Sequence, residues 1–275
     1  MPNIHINNGG EGGEPGRPGM GEGGVERFQH LNYDAGPLAA LNSDNKYNLL
    51  PSLDNTPDEN DIISPYVQYN VSSPYFDTKS LIAKFSQHNQ PLFLSLNTQS
   101  LQSKHENIKI LLPELASNNV HVDILALQET WRLPYLEIVN IPGYQFVHRH
   151  RTANKGGGVG FYIKNAITFK LVAELSTFID NVFETITIEA KVHNKTYMLS
   201  SVYRSPNPPA NMSTNIQLTS FNSHLDTLLA RLNALKLNSY IFLDSNLNLL
   251  HISTDNNAAN YHDLITSNGY LHQGN

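Results

Sequence analysis

Cysteine is absent from all 275 residues of the chain. Its absence excludes a disulfide framework, a thiolate-ligated zinc or iron–sulfur site, and a cysteine nucleophile. No apolar run approaches the roughly 18 residues of a transmembrane helix, and the N-terminus lacks the basic region and apolar stretch of a secretory signal. We therefore expect a soluble, intracellular chain that is neither secreted nor bound to a membrane.

Large apolar side chains are also scarce in the first third of the chain. Nine of the 17 glycines fall in residues 1–24, and residues 1–87, with 11 acidic and 5 basic side chains, account for the net charge of −6. Such a sequence cannot bury enough apolar surface to offset its chain entropy. We predict a Gly-rich disordered tail over 1–30, a polar and mostly disordered linker over 31–87 with a short helix near 75–86, and a folded domain over 88–275.

Short apolar runs and alternating segments predict the strands of the folded domain. The expected strands are 92–96, 122–127, 144–151, 159–165, 183–192, 196–203 and 240–243. Helical spacing of apolar residues predicts helices over 100–119, 220–236 and 260–267. Pro113 should kink or split the first helix, Ser220 should cap the second, and Gly269 should end the third. The initial strand–helix–strand order indicates a mixed α/β domain.

Polar side chains stand at or just after the ends of four predicted strands. They are Asn97, Glu129, Tyr203, and the pair Asp244 and Asn246. Each alone is typical of a turn or a helix cap. Side chains at strand ends can converge over one edge of a core, so the ordered set predicts a functional site there.

These residues belong to motifs that follow one another in a recognisable order. The motifs are Ser95–Leu101, Asp123–Trp131, Gly143-Tyr144, Lys155–Tyr162 with its triple glycine, Val202–Pro206 and Asp244–Asn246. In this the chain resembles the apurinic/apyrimidinic-type endonuclease domain of LINE-class (non-LTR) retrotransposons, within the endonuclease/exonuclease/phosphatase superfamily. The resemblance covers roughly residues 88–275. It implies an α/β (α+β) fold, a four-layer α/β sandwich with two mixed sheets face to face and helices outside.

The resemblance also implies a metal-dependent DNA-nicking activity and a role for each residue. Asn97 and Glu129 would approach a divalent metal, Mg²⁺ or Mn²⁺, with Glu129 as its carboxylate ligand. Tyr203 would hydrogen-bond the scissile phosphate, Asp244 would transfer a proton, and Asn246 would orient the phosphate. DNA is the expected partner, with no membrane and no small-molecule cofactor, in a nuclear or cytoplasmic location.

Basic residues near the same motifs suggest a nucleic-acid surface. Arg149 and Arg151 would share one face of a strand, and together with Lys155 and Arg204 they are predicted to contact DNA phosphates. The alternative for the first two is an ordinary solvated strand face. The triple glycine at 156–158 precedes no predicted helix, so we interpret it as a hairpin turn with positive φ and not as a phosphate cradle.

Two departures from the family pattern affect what we expect of these 275 residues. The motif that is usually Gly-Asp-Phe-Asn stands here as Leu243-Asp244-Ser245-Asn246, and no Ser-Asp-His motif follows Asn246. We therefore expect a domain that lacks its last strand or strands and hydrolyses poorly. Two alternatives stay open: a phosphoesterase acting on a lipid or small molecule, and a non-catalytic remnant or binding module.

Overall fold

The computed structural model describes residues 29–30, 78–152, 155–249 and 252–270. The helices and strands within these ranges are, in chain order, β1 (Gln29–His30), α1 (Thr78–Phe85), β2 (Phe93–Asn97), α2 (Leu101–Ser117), β3 (Ile124–Gln128), β4 (Tyr144–Arg149), β5 (Val159–Lys164), β6 (Thr168–Leu171), β7 (Phe178–Ile179), β8 (Phe183–Val192), β9 (Lys195–Tyr203), α3 (Thr214–Ala234), β10 (Asn238–Asp244) and α4 (Asn256–Ser267). Short 3₁₀ turns span Leu136–Val139 and Ala173–Leu175.

The strands form two mixed sheets of similar design. The first sheet has the order β1-β2-β3-β5-β4, and the second has the order β10-β9-β8-β6, with β7 also paired to β8. In the first, β2 and β3 run parallel with α2 between them along the chain. In the second, β9 and β10 run parallel with α3 between them. The other neighbouring pairs are antiparallel. Each sheet thus contains one strand–helix–strand unit.

Three separate apolar clusters define four layers. The first cluster packs α1 and α2 on the outer face of the first sheet and includes Leu81, Leu111 and Leu125. The second fills the space between the sheets, for example with Phe161, Ile188 and Phe242. The third packs α3 and α4 on the outer face of the second sheet, with Val202, Phe221 and Tyr261. The α/β sandwich expected from the sequence is confirmed.

Most of the predicted strands are present, and both expected hairpins form. β4 pairs with β5 around the loop that contains the triple glycine, and β8 pairs with β9 across a short turn. The strands β6 and β7 were not predicted. They are four and two residues long, and their residues are half-buried or exposed, so neither carries a clear apolar pattern.

Two expectations about the helices need correction. Pro113 does not split α2, which continues through it from Leu101 to Ser117. Pro113 is exposed, so water can reach the Lys109 carbonyl that loses its helical donor. α3 begins at Thr214 and its cap is Ser213, whose hydroxyl accepts a hydrogen bond from the Ile216 N–H at 3.3 Å. Ser220 lies inside the helix, and the earlier turn was missed because its residues 214–216 are exposed.

The expectations for the tail and linker fall mainly on residues 1–28 and 31–77, which lie outside the described residues. Within the described ranges, Gln29 and His30 pair with Ser95 and Leu94 at the edge of the first sheet. The short helix expected near 75–86 is present as α1. Among the helices that the structure describes, none has the length and apolar character needed to cross a membrane.

Candidate active site

The polar strand ends of the two sheets meet at one edge of the sandwich. In the first sheet, Asn97 at the end of β2 lies opposite Gln128, the residue before Glu129. In the second, Tyr203 at the end of β9 lies opposite Asp244 at the end of β10. Parallel strands present their carboxyl ends at the same edge of a sheet. The two strand–helix–strand units therefore supply one side of the site each.

The Asn97 amide joins the two sides. Its Nδ2 donates to Glu129 Oε1 at 2.8 Å and to Asp244 Oδ2 at 2.6 Å. Its Oδ1 accepts from the Gln99 N–H at 3.1 Å. Because both neighbours of Nδ2 are carboxylates and the neighbour of Oδ1 is a donor, the amide has a single satisfactory orientation. Asn97 thus faces the site with its donor, and its oxygen is directed to its own loop.

The donor set of this site suits a hard divalent cation. Within the described ranges, no group of three or more His, Cys, Asp or Glu side chains could hold a metal ion. Glu129 and Asp244 nonetheless provide two carboxylates that accept from the same amide nitrogen. Mg²⁺ characteristically takes one or two protein carboxylates and completes its coordination with water and substrate phosphate. Glu129 therefore fits such an ion, with Asp244 beside it.

The surroundings of Asp244 favour its neutral form. Burial raises the pKa of the Asp244 carboxyl, and the neighbouring Glu129 charge raises it further. The Asn246 N–H, which donates to Asp244 Oδ1 at 3.1 Å, acts in the opposite direction, as does the Asn97 amide. Desolvation is the largest of these effects. The result is a carboxyl group whose protonation is shifted toward physiological pH.

Tyr203 is buried under the same edge. Burial raises the pKa of its phenol, and the charges of Glu129 and Asp244 raise it further. The hydroxyl therefore stays protonated at physiological pH and is a hydrogen-bond donor. The Arg151 guanidinium lies 5.9 Å from the centre of the Tyr203 ring. This contact limits where the ring can move.

Asn246 lies at the rim, and Arg204 lies beneath it. The exposed Asn246 donates from Nδ2 to the Arg204 carbonyl at 2.7 Å. The Arg204 side chain is 3% exposed and donates to Gln217 Oε1 at 3.0 Å and to the Asn246 carbonyl at 2.8 Å. Its remaining donors bond to the carbonyls of Ser245 and Ser205. The predicted DNA contact from Arg204 does not fit this burial, because its donors are used to hold the Asn246 loop.

Arg151 is likewise directed inward. It is 6% exposed and its Nε lies 2.5 Å from Oε1 of Glu184, which is fully buried. Glu184 Oε2 accepts from the Gly158 N–H at 2.6 Å. Glu184 is also the cross-strand partner of Tyr203. The predicted DNA contact from Arg151 is therefore not supported, and the ion pair instead joins the two sheets beside the site.

Glu184 was not predicted as a site residue, although the sequence contains a signal for it. The alternation of β8 places Glu184 on the same face as Ile186 and Ile188, both of which are buried between the sheets. A lone charged residue on an otherwise apolar inward face requires a buried partner. Its position near the strand end that faces the site completes the signal.

Of the four predicted DNA-binding cations, Lys155 is the one that is exposed. Arg149 is half-buried, donates to the Ser176 carbonyl, and lies 5.0 Å from the centre of the Phe178 ring. Lys155 Nζ lies 5.6 Å from the centre of the Trp131 ring. Trp131 and the exposed Arg132 follow closely after Glu129. An aromatic ring with two exposed cations thus adjoins the carboxylates.

The loops of the site contain a concentration of unusual backbone angles. Residues other than glycine with positive φ include Gln99 (44°), Ser100 (100°), Glu129 (53°), Trp131 (59°) and Asn246 (51°). Such conformations cost about 1–3 kcal/mol each and persist where the surrounding structure enforces them. Here they lie in the segments that follow β2, β3 and β10, which carry the polar site residues.

Comparisons with known proteins bear on the same residues. The sequence model for the family described as "Endonuclease/Exonuclease/phosphatase family" matches residues 94–235. No curated protein matches the chain at a significant level. The matched range includes Asn97, Glu129 and Tyr203.

Several solved structures are similar to the chain at low identity. The endonuclease domain of TRAS1, a telomere-specific non-LTR retrotransposon, is 14% identical with a TM-score of 0.47, over 66% of this chain and 71% of that one. The Xenopus laevis APE2 catalytic domain is 15% identical with a TM-score of 0.41, over 63% and 67%. D. rerio TDP2 complexed with single strand DNA product is 15% identical with a TM-score of 0.39, over 67% of each chain.

Proposed function

The chain belongs to the endonuclease/exonuclease/phosphatase family, and we propose that its folded domain is a metal-dependent endonuclease that nicks DNA. In this proposal it serves a non-LTR retrotransposon, whose reverse transcription starts at the nick. The observation that carries the proposal is the Asn97 amide, which donates to Glu129 and Asp244 from opposite sheets. Phosphodiester hydrolysis requires charge neutralisation, an activated water and assistance to the leaving oxygen. Two adjacent carboxylates beside a protonated tyrosine are suited to these tasks.

The carboxylate of Glu129 would hold the divalent cation, Mg²⁺ or Mn²⁺, with Asp244 beside it. Such an ion, when bound, supplies neutralisation of phosphate charge. Asn97, the other residue expected near the metal, has its oxygen on the Gln99 N–H and its amide nitrogen on the two carboxylates. In this proposal it holds the carboxylates in place beside the ion.

Asp244 is the residue proposed to transfer a proton, from the attacking water or to the leaving oxygen. General acid–base catalysis is most effective when the pKa of the catalytic group approaches the working pH. Burial and the nearby Glu129 charge raise the pKa of Asp244 in that direction. The environment of this carboxyl therefore supports the role.

Tyr203 and Asn246 are the proposed phosphate contacts. The raised pKa of Tyr203 keeps its hydroxyl as a donor to a phosphate oxygen. The Asn246 amide nitrogen has two hydrogens, and the Arg204 carbonyl accepts from this nitrogen. A second hydrogen can then donate to the phosphate. Both contacts favour an anionic substrate at the rim of the sheets.

The surface formed by Trp131, Arg132 and Lys155 supports DNA as the substrate. The two exposed cations can contact backbone phosphates. The indole ring offers a surface on which a base can stack, a contact worth about 1–3 kcal/mol per base. A small phosphorylated molecule would fill the carboxylate site without using this neighbouring surface.

A substrate panel tests the proposal on the full chain. The substrates are supercoiled plasmid, a duplex with one abasic site, an inositol phospholipid and a small phosphomonoester, each with Mg²⁺ and with a chelator. We expect slow, metal-dependent nicking of plasmid that Glu129→Ala abolishes. Tyr203→Phe should slow it roughly 10–150-fold, the equivalent of one hydrogen bond to a charged group at about 1.5–3 kcal/mol. Preferential hydrolysis of the lipid or small phosphoester would overturn the DNA assignment, and plasmid binding with no hydrolysis of any substrate would indicate a binding module.

A further inference from the structure

A layer of buried polar groups lies between the two sheets, directly below the site. Its centre is Gln128, the last residue of β3, which is 1% exposed. Ser95 Oγ donates to Gln128 Oε1 at 3.1 Å. Gln128 Nε2 donates to Ser201 Oγ at 3.0 Å and to the Phe242 carbonyl at 3.1 Å. Ser201 Oγ in turn donates to the Leu127 carbonyl at 2.8 Å. The amide of Gln128 thus contacts β2 in its own sheet and both β9 and β10 in the other.

The position of each contact along its strand matches the position of a site residue. Ser95 precedes Asn97 by two residues on β2, Ser201 precedes Tyr203 by two on β9, and Phe242 precedes Asp244 by two on β10. Gln128 itself is followed at once by Glu129. Residues two apart on a strand point to the same face. On β2, β9 and β10 the polar layer therefore lies two residues before the site residue. On β3 it lies directly before Glu129.

Apolar packing alone does not fix how the two sheets lie against each other as closely as hydrogen bonds do. The cluster between the sheets consists of aliphatic and aromatic side chains, whose attraction has no preferred direction. A buried amide has the opposite property, because a shift of one sheet leaves its donors and acceptors unpaired. Both ends of the Gln128 amide have partners here. A displacement of either sheet would break contacts that water cannot replace.

We propose that Gln128 is a positioning residue for this site, which sets the alignment of the two sheets so that Asn97 can join Glu129 to Asp244. The bonds from Asn97 to carboxylates on opposite sheets are 2.8 and 2.6 Å long. The bond to Asp244 is the one that crosses between the sheets, and a shift of about 1 Å along it would lengthen it from 2.6 to about 3.6 Å, beyond hydrogen-bond length. Gln128 acts through the strands and does not touch the reacting groups. That Gln128 aligns the sheets follows from the hydrogen bonds alone. That this alignment affects catalysis rests on the proposed function.

The test compares Gln128→Met with Thr187→Val in the full chain. Methionine keeps the length of the side chain and removes the amide. Thr187 is a matched control, because it is fully buried and its hydroxyl bonds to the Leu175 carbonyl in a 3₁₀ turn and to Ser200 on β9, both outside the first sheet. The first readout is nuclear magnetic resonance of the Asn97 side-chain amide, assigned with Asn97→Asp. The second is the kcat and KM of plasmid nicking and the Mg²⁺ concentration at half-maximal rate.

We expect Gln128→Met to speed hydrogen exchange of the Asn97 amide. It should lower kcat about 10–100-fold, as substitutions of other residues that support metal ligands do. It should also raise the half-saturating Mg²⁺ concentration and leave KM for plasmid little changed. Thr187→Val should alter none of these at a temperature where both variants are folded.

If Gln128→Met does not fold, Ser201→Ala removes the contact to β9 and should give the same pattern more weakly. Unchanged Asn97 exchange in Gln128→Met, or in Ser201→Ala if that replaces it, would overturn the proposal. Should the parent fail to nick any DNA, the proposed function fails while the exchange measurement still decides the role of Gln128.

Discussion

The Asp244 carboxyl is held largely out of water next to a second carboxylate. Burial and the Glu129 charge both disfavour its ionised form, and these effects outweigh the hydrogen bonds from Asn97 and the Asn246 backbone. A group in this position reduces the stability of the folded chain whenever it is ionised. We interpret this as a cost that the fold bears for the chemistry of the site.

This interpretation predicts a pH-dependent effect of Asp244→Asn on stability. Because the folded-state pKa of Asp244 lies above its ordinary value, its contribution to stability is complete below that ordinary value and is lost as the pH rises through the folded-state pKa. Asparagine resembles the neutral form at every pH. The free energy of unfolding of Asp244→Asn relative to the parent should therefore increase with pH across this range and then level off. Urea denaturation between pH 4 and 8 measures it.

The matched control is Asp263→Asn, which makes the same chemical change at an exposed position on α4. Its free energy of unfolding should follow that of the parent across the same pH range. A relative stability of Asp244→Asn that stays constant or falls as the pH rises would contradict the assigned electrostatics of the site.

At the scale of elements, the loop between β4 and β5 shows what the triple glycine does. Gly157 and Gly158 have φ of +72° and +90°. A Cβ on Gly157 would lie 2.4 Å from Arg151 Nε, and one on Gly158 would lie 2.5 Å from Thr130 Oγ1. Arg151 cannot move aside without breaking its buried ion pair with Glu184. The positive φ angles thus agree with the hairpin interpretation. The lack of a Cβ at Gly157 also leaves the space that the Arg151 side chain occupies.

Alanine substitutions of the three glycines should lower the free energy of unfolding by different amounts. Gly157→Ala and Gly158→Ala should each lower the free energy of unfolding by about 1–3 kcal/mol, from the strained φ and the contact with pinned neighbours. Gly156 is the control within the same loop, since the nearest atom to its Cβ would be 3.8 Å away. Gly156→Ala should change stability by no more than about 0.5 kcal/mol. Equal losses at all three positions in urea denaturation would show that contact with Arg151 and Thr130 is not the cause.

The helices and strands were largely predictable from sequence, but the burial of individual polar side chains was not. Alternation predicted the β8 strand, and the strand-end residues that were expected to converge do meet at one edge of the sandwich. The same pattern could place Arg149 and Arg151 near the site but could not distinguish a solvated face from a buried one. That difference depends on Ser176, Phe178 and Glu184, which lie 27 to 33 residues further along the chain than the arginines they contact. Local sequence holds no record of such partners.

For the whole molecule, the central feature is that two similar strand–helix–strand units, one in each sheet, bring their polar ends together. Asn97 and Glu129 come from one unit and Tyr203 and Asp244 from the other. Neither sheet alone contains a pair of carboxylates joined by the Asn97 amide. The proposed function therefore depends on the packed sandwich, because the site exists only while the two sheets are aligned.

The most direct test of this account is plasmid nicking by the full chain in Mg²⁺, with Glu129→Gln beside Glu189→Gln. Glu189 is the matched control, because it undergoes the same chemical change on β8, where it pairs with Lys170 away from the site. We predict that Glu189→Gln nicks supercoiled DNA at the parent rate and that Glu129→Gln is slower by about 100-fold or more, since a bound metal contributes several kcal/mol to such reactions. Equal nicking by all three proteins, or nicking that persists with a chelator, would contradict the account.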